Sequence, residues 1–175
     1  MNEAMNNLLT RRSIRKFKNE MIPEDVLNRI IEAGTYAASG YGKQSSIIIA
    51  VTNKELLDRL SEMNADILNW EHVKDPFYGA PVILIVLANK EIDTYIYDGS
   101  LVMGNLMNAA HAEGIGSCWI ARAKDVFESE EGKKILESLG IKGNYEGIAH
   151  CALGYSDESI NNPTKRKENF VYYIR

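Results

Sequence analysis

At 175 residues with a formal net charge of −4, the chain is long enough to bury one substantial core and short for two, so one domain over residues 1–175 is expected. Its mild acidity weighs against a nucleic-acid surface, which would neutralise phosphates with many Lys and Arg. The longest apolar run, PVILIVLA at Pro81 to Ala88, is too short to cross a bilayer, so no membrane segment is expected. The opening MNEAMNNLLT lacks the basic and then apolar regions of a secretory signal. Cys118 and Cys151 sit in apolar, strand-like runs that suit reduced, buried thiols better than a disulfide framework. A cytoplasmic location is the resulting expectation.

In chain order, residues 2–10 read as a short helix running into RRSIRKF, Arg11 to Phe17. The stretch IPEDVLNRIIEAGTYAAS then places Pro23 in a first turn, Glu24 and Asp25 at the positive helix end, and Leu27, Ile30, Ile31, Gly34 and Ala38 on one stripe, which predicts a helix ending at SGYGKQ. Ser46 to Val51 reads as a buried strand, 54–63 as a helix, and Pro81 to Ala88 as a second strand after the turn-like DPFYGAP. A long helix is expected from about Asp93 to Glu113, closed by Gly114; Leu101, Val102, Asn105, Leu106, Ala109 and Ala110 form one face, Met103, Gly104, Met107 and His111 the other. Apolar residues on more than one side suit a helix in the middle of a larger assembly. The strands GSCWI and GIAHCALGY flank a helix over Val126 to Leu139. The tail, NNPTKRKENFVYYIR, is basic and then aromatic and β-branched, as a terminal strand would be, but has no obvious partner within the chain.

Several chemistries are missing. There is no GxSxG elbow, Walker phosphate loop, HExxH or CxxC pair, or strand-borne GxGxxG. His72, His111 and His150 are far apart and show no metal-ligand spacing, so ordinary core or surface roles, and no metal, are expected of them. If the chain is an enzyme, a cofactor carries the difficult step. The positive signal is Arg11, Arg12, Ser13 and Arg15: three guanidiniums and a hydroxyl within five residues can surround a phosphate, because arginine offers a planar fork of donors and stays charged. They could instead complement the negative end of the first helix, for which one or two cations suffice. A second basic cluster, TKRK at Thr164 to Lys167, leaves open that two arms close on one anion.

RRSIRKF, AASGYGKQ, YGAPVILIVLA, YDGSLVMGNLMNAAHAEGIGSCWI, HCALGY and TKRKENFVYY, in this order and spacing over nearly the whole chain, resemble the FMN-dependent nitroreductase family. The resemblance implies an α+β fold with a central, mainly antiparallel sheet flanked by helices. It also implies a homodimer in which the long helix packs at the interface and the C-terminal strand is exchanged. Arg11, Arg12, Ser13 and Arg15, with Lys165 and Arg166, would hold the FMN phosphate and ribityl chain. Ser39, Gly40, Gly42 and Lys43 would contribute from the other subunit, and Cys118, Trp119, Ile120 and Ala121 would run along the flavin ring. The implied reaction is ping-pong: NADH or NADPH reduces FMN and leaves, and a nitroaromatic, quinone or similar electron-poor acceptor takes the electrons.

Two segments depart from the family pattern. The loop usually close to APSGGNRQPW reads AASGYGKQSS, so the flavin-facing Asn is replaced by Gly42, and Tyr41 can overhang the ring or point to solvent. The Gly-Gly common after CWI is Ala121 and Arg122, which adds bulk and charge near the ring edge. Trp70 and Phe77, within 64–78, are candidates for the substrate side or anchors of their loop. These departures keep open a non-enzymatic flavin-binding or redox-sensing dimer, or a flavin enzyme of another reaction.

Overall fold

The computed structural model describes residues 1–160 and 163–175; Asn161 and Asn162, the first two residues of the expected terminal strand, lie outside the described residues. Four strands form one sheet in the order β1-β2-β4-β3, with β1 at Ser46–Val51, β2 at Val82–Asn89, β3 at Gly116–Ile120 and β4 at Tyr145–Gly154. Every neighbouring pair is antiparallel. The central strand β2 is buried from Val82 to Ala88, which is why it reads as a continuous apolar run rather than an alternation.

Helices cover both faces. On one, α2 (Glu24–Thr35) and α4 (Tyr95–Ala112) pack Leu27, Ile30, Val102 and Leu106 over Val82, Leu84 and Val86. On the other, α3 (Lys54–Leu68) and α5 (Ala123–Glu128) pack Leu57, Leu60, Val126 and Phe127 over Ile83, Ile85 and Leu87. The alternation of β2 side chains between these clusters follows the strand's period of two. The short α1 (Glu3–Thr10), capped by the Asn2 side chain on the Met5 N–H, buries no residue.

Four expectations need adjusting. Pro23 sits just before α2 as its N-cap rather than inside its first turn. Helix α3 continues past Met63 to Leu68, because Met63 and Asn64 keep to its buried face. The helix expected over 126–139 is two, α5 and α6 (Glu130–Ser138), broken at Ser129, whose hydroxyl donates to the Val126 carbonyl and accepts from the Gly132 N–H. Residues 163–175 of the tail form no strand within the chain: they are exposed, with Glu168–Phe170 in a 3-10 turn and Val171 extended at φ −129° and ψ 137°.

The ladder between β2 and β4 is regular except for one bulge. Val86 faces Ala149 and Leu87 faces Gly147, so Ile148 is an extra residue on β4. The outer edge of β3 is partly covered by the arginine segment, through a parallel bridge from Ser13 to Ser117.

Candidate functional site

The turn from α1 into RRSIRKF places the basic cluster. Arg12 Nη1 donates to the Leu9 and Arg11 carbonyls at 2.8 and 2.7 Å, so this one side chain serves the carbonyl end of α1. The helix-end role is then satisfied, and the remaining donors stay unpaired: Arg11 Nη1 and Arg12 Nε are buried without a hydrogen-bond partner, as is Ser117 Oγ across the strand bridge from Ser13. A buried charged donor without an acceptor is costly unless something supplies one.

The second basic cluster lies against the first. Leu8, Leu9, Arg11, Arg12 and Ser13 form one wall of a cleft of about 590 Å³, and Pro163, Thr164, Lys165 and Arg166 form the other. Residues 8–13 and 163–166, at opposite ends of the chain, therefore meet across this cleft. Arg15 is not in this wall. Its backbone N–H donates to the Glu158 carboxylate, and Lys16 pairs with Asp157 at 2.7 Å, which binds this segment to the strap that follows β4. The positive field is felt nearby: His111, 2.9 Å from the Thr10 hydroxyl, is held below its usual pKa first by burial and then by Arg11 and Arg12. Burial pushes the Cys118 thiol up, against the pull of Arg15, the Ser13 hydrogen bond and Arg11, so the thiol is protonated at neutral pH.

Cys118 and Ile120 point into the core, whereas Trp119 is 38% exposed. Beyond them the chain turns sharply at Ala121 and Arg122. Arg122 has a left-handed backbone, φ 72°, and its Nε donates to Asn64 Oδ1 at 2.9 Å; Asn64 Nδ2 in turn donates to the Ala121 carbonyl at 2.9 Å. Below this corner lies His150, wholly buried beside Phe77 and Phe127, its pKa lowered to about 4 by burial, which outweighs the opposing effect of the Ala121 and Ile120 backbone.

The loop Ser39 to Gln44 lies elsewhere. Ser39 and Gln44 line a separate cleft of about 430 Å³ with Ile31, Ser46, Asp98 and Val102. Asp98, 3% exposed in the first turn of α4, holds this loop by accepting from the Gly40 N–H at 2.9 Å, the Ser45 hydroxyl at 2.8 Å and the Thr94 hydroxyl at 3.1 Å. Gly40 is required there, since a Cβ would stand 2.3 Å from Thr94 Oγ1. Lys43 is exposed, Gly42 has φ 67°, and Tyr41 is 99% exposed at φ 53°. Trp70 is 59% exposed and stacks on His72, while Phe77, 3% exposed, is a core anchor. Sequence reasoning passed over Asn64, Asp98, Ser117 and Glu158. The usable signal for Asp98 and Asn64 was a polar residue on an otherwise apolar helical stripe.

The α+β scaffold thus carries an arginine-lined cleft beside its sheet edge. The nitroreductase family profile matches residues 8–155, and the chain belongs to the nitroreductase family. It is 30% identical over 161 residues, 89% of this chain and 86% of the relative, to an Archaeoglobus fulgidus protein with the provisional name NADH dehydrogenase/NAD(P)H nitroreductase. A similarly named protein of Methanothermobacter thermautotrophicus is 29% identical over 121 residues, 67% of this chain but only 60% of that relative. Among solved structures, a Bacteroides fragilis nitroreductase with bound FMN superposes with a TM-score of 0.88 at 28% identity, covering all of both chains. A Desulfitobacterium hafniense nitroreductase with bound FMN gives 0.88 at 26%, again over all of both chains. The fold is nitroreductase-like, as the sequence resemblance implied.

Proposed function

We propose that the protein is an FMN-dependent NAD(P)H oxidoreductase that passes electrons to nitroaromatic, quinone or similar electron-poor acceptors, working as a homodimer. One observation carries the reading: the two basic clusters share a cleft, and two of the arginines that line it, Arg11 and Arg12, each keep a donor, Nη1 and Nε, without a hydrogen-bond partner. A phosphate monoester supplies the acceptor oxygens these donors lack, and arginine binds it through a planar fork. FMN fits the residues present on that ground. Arg11, Arg12 and Ser13 would hold its phosphate with Lys165 and Arg166, and Arg15 would add charge from beside Cys118.

When bound, FMN would supply the redox chemistry, taking hydride from NADH or NADPH and delivering two electrons to the acceptor. The protein's part is to bind, orient and shield. Cys118, Trp119, Ile120 and Ala121 would flank the ring, with backbone N–H groups as the donors it needs. Tyr41, Trp70 and Arg122 would face the acceptor.

Within one chain the 39–44 loop lines a different cleft from the arginines. This supports its service to a partner's site, where Ser39, Gly40, Gly42 and Lys43 would act. The outer edge of β1 has no strand beside it among the described residues, while the tail offers Val171 to Ile174, 62 to 103% exposed. On α4, Tyr97 and Leu101 are also exposed. A second copy that docks on α4 and lays its tail along the first would cover both features. Cys118 and Cys151 are free and buried, which fits a reducing, cytoplasmic setting.

The test is an absorption spectrum of the purified protein after free flavin is removed, then anaerobic addition of NADH and of NADPH. Retained flavin that bleaches with either donor supports the proposal; protein that neither keeps nor rebinds FMN defeats it. Removing the residues after Asn169 should shift the solution mass toward a monomer, and an unchanged mass would rule out the tail as the clasp.

A further inference from the structure

Arg122 differs from Arg29 and Arg59, which also lie outside the cleft. Arg29 grips Asp25 and Glu113, and Arg59 grips Glu62 and Glu131, each at 3.0 Å or less. Arg122 has no carboxylate partner among the described residues, yet its side chain is fixed. Its Nε–H is taken by Asn64 Oδ1, and Asn64, 0% exposed, is itself locked by its bond to the Ala121 carbonyl. The guanidinium is thus anchored through one nitrogen, and its Nη1/Nη2 edge has no protein acceptor among the described residues.

The backbone carries a second sign. Arg122 adopts φ 72°, ψ 11°, a left-handed conformation that glycine enters freely and a long side chain does not. A residue held there by its surroundings marks a place where the side chain matters more than local ease. The amide of Asn64 supplies that hold, bonding both residues of the corner.

We propose that Arg122 selects the electron acceptor, its Nη edge binding a carboxylate or equivalent pair of anionic oxygens on an electron-poor aromatic ring, with Asn64 as the residue that positions it. This rests on the placement of the flavin ring beside Cys118 to Ala121 proposed above. An arginine fork matches a carboxylate in plane and spacing, and one held through Nε loses little side-chain freedom when the ligand arrives. The preferred acceptor is therefore an anionic nitroaromatic or quinone rather than its neutral counterpart.

The experiment compares 4-nitrobenzoate with its neutral isostere 4-nitrobenzamide as acceptors for the flavin-loaded protein and for Arg122→Gly. The ratio of kcat/KM, anionic over neutral, should fall at least about tenfold in the variant, the weight of one charge-assisted hydrogen bond. Benzoate titrated into the oxidised holoprotein, followed by the flavin absorbance without turnover, should bind correspondingly more weakly. Glycine suits φ 72° but leaves Asn64 Oδ1 without its donor, so the two effects oppose each other and the Tm of Arg122→Gly should stay within a few degrees of the parent's, which separates loss of selection from loss of structure. Arg122→Lys should recover part of the ratio, and Asn64→Ala should lose part of it with Arg122 still in place. An unchanged ratio in flavin-retaining Arg122→Gly overturns this inference alone; a parent protein that holds no FMN overturns it together with the proposed function.

Discussion

Of the corners that turn on a non-glycine residue with left-handed backbone, two bear comparison: Tyr41 in the 39–45 loop and Arg122 between β3 and α5. Each is secured by one buried polar side chain from a helix, Asp98 of α4 and Asn64 of α3. They differ in where the anchor grips. Asp98 takes the base of its loop, at Gly40 and Ser45, and leaves the Tyr41 tip 99% exposed. Asn64 takes the corner itself, including the Arg122 side chain. An anchor at the base sets where a loop begins and ends; an anchor at the tip sets where one side chain aims. The first arrangement suits a loop completed by a partner, the second a group that must be ready before its ligand arrives.

Removing the base anchor should do the most damage. Asp98→Ala strips acceptors from the Gly40 N–H and from the Ser45 and Thr94 hydroxyls, and we expect a loss of about 3 to 4 kcal/mol in urea unfolding, from several bonds to one carboxylate. A result under about 1 kcal/mol would mean that the loop finds other partners.

Acid should strike the other corner next. His150 lies beneath Ile120 and Ala121 with its pKa lowered to about 4 by burial, while an unfolded imidazole titrates near 6.5. Above about pH 6.5 both states are neutral and stability is whole; as pH falls toward about 4 the unfolded chain takes up the proton and the folded one resists it. Stability should decline by about 3 kcal/mol across that window, and His150→Phe should flatten the decline in a series of melts at stepped pH. A slope unaltered by the substitution would assign the effect to other groups.

Asn64→Ala should cost about 2 kcal/mol, less than Asp98→Ala, because it frees one carbonyl and one guanidinium nitrogen that water can reach. The smallest effect has the opposite sign. Tyr41→Gly relieves a left-handed residue that packs on nothing within its own chain, so thermal melts of dilute protein should show about 0.5 to 1 kcal/mol of gain. A loss there would reveal contacts made by the ring in solution.

Much of the scaffold was legible because its strands are long apolar runs between turn residues, and β2 in particular could hardly be anything else. The arginine cluster was legible too, since four polar groups in five residues stand out against an acidic chain. That Arg12 would serve the end of α1 while Arg11 keeps an unpaired donor could not be read, because it depends on which way each guanidinium folds. The break at Ser129 was hidden by the apolar spacing, which runs on through Phe127 and Ile135; a hydroxyl that caps and one that faces water look alike in sequence. Asn64 and Asp98 were missed for a related reason. Each is a single polar residue whose importance comes from backbone groups tens of residues away, and periodicity carries no record of such partners.

The bulge in β4 reaches further than its ladder. Its extra residue, Ile148, presses its side chain toward Gly99 of α4, where a Cβ would stand only 2.5 Å from Ile148 Cγ1, and Gly99 adjoins the carboxylate that holds the 39–45 loop. Chain length in β4 is therefore not free to drift. A descendant one residue shorter at this point could restore an unbroken ladder and yet lose the wedge that seats α4, so a deletion in the middle of the sheet would be felt first at Gly40.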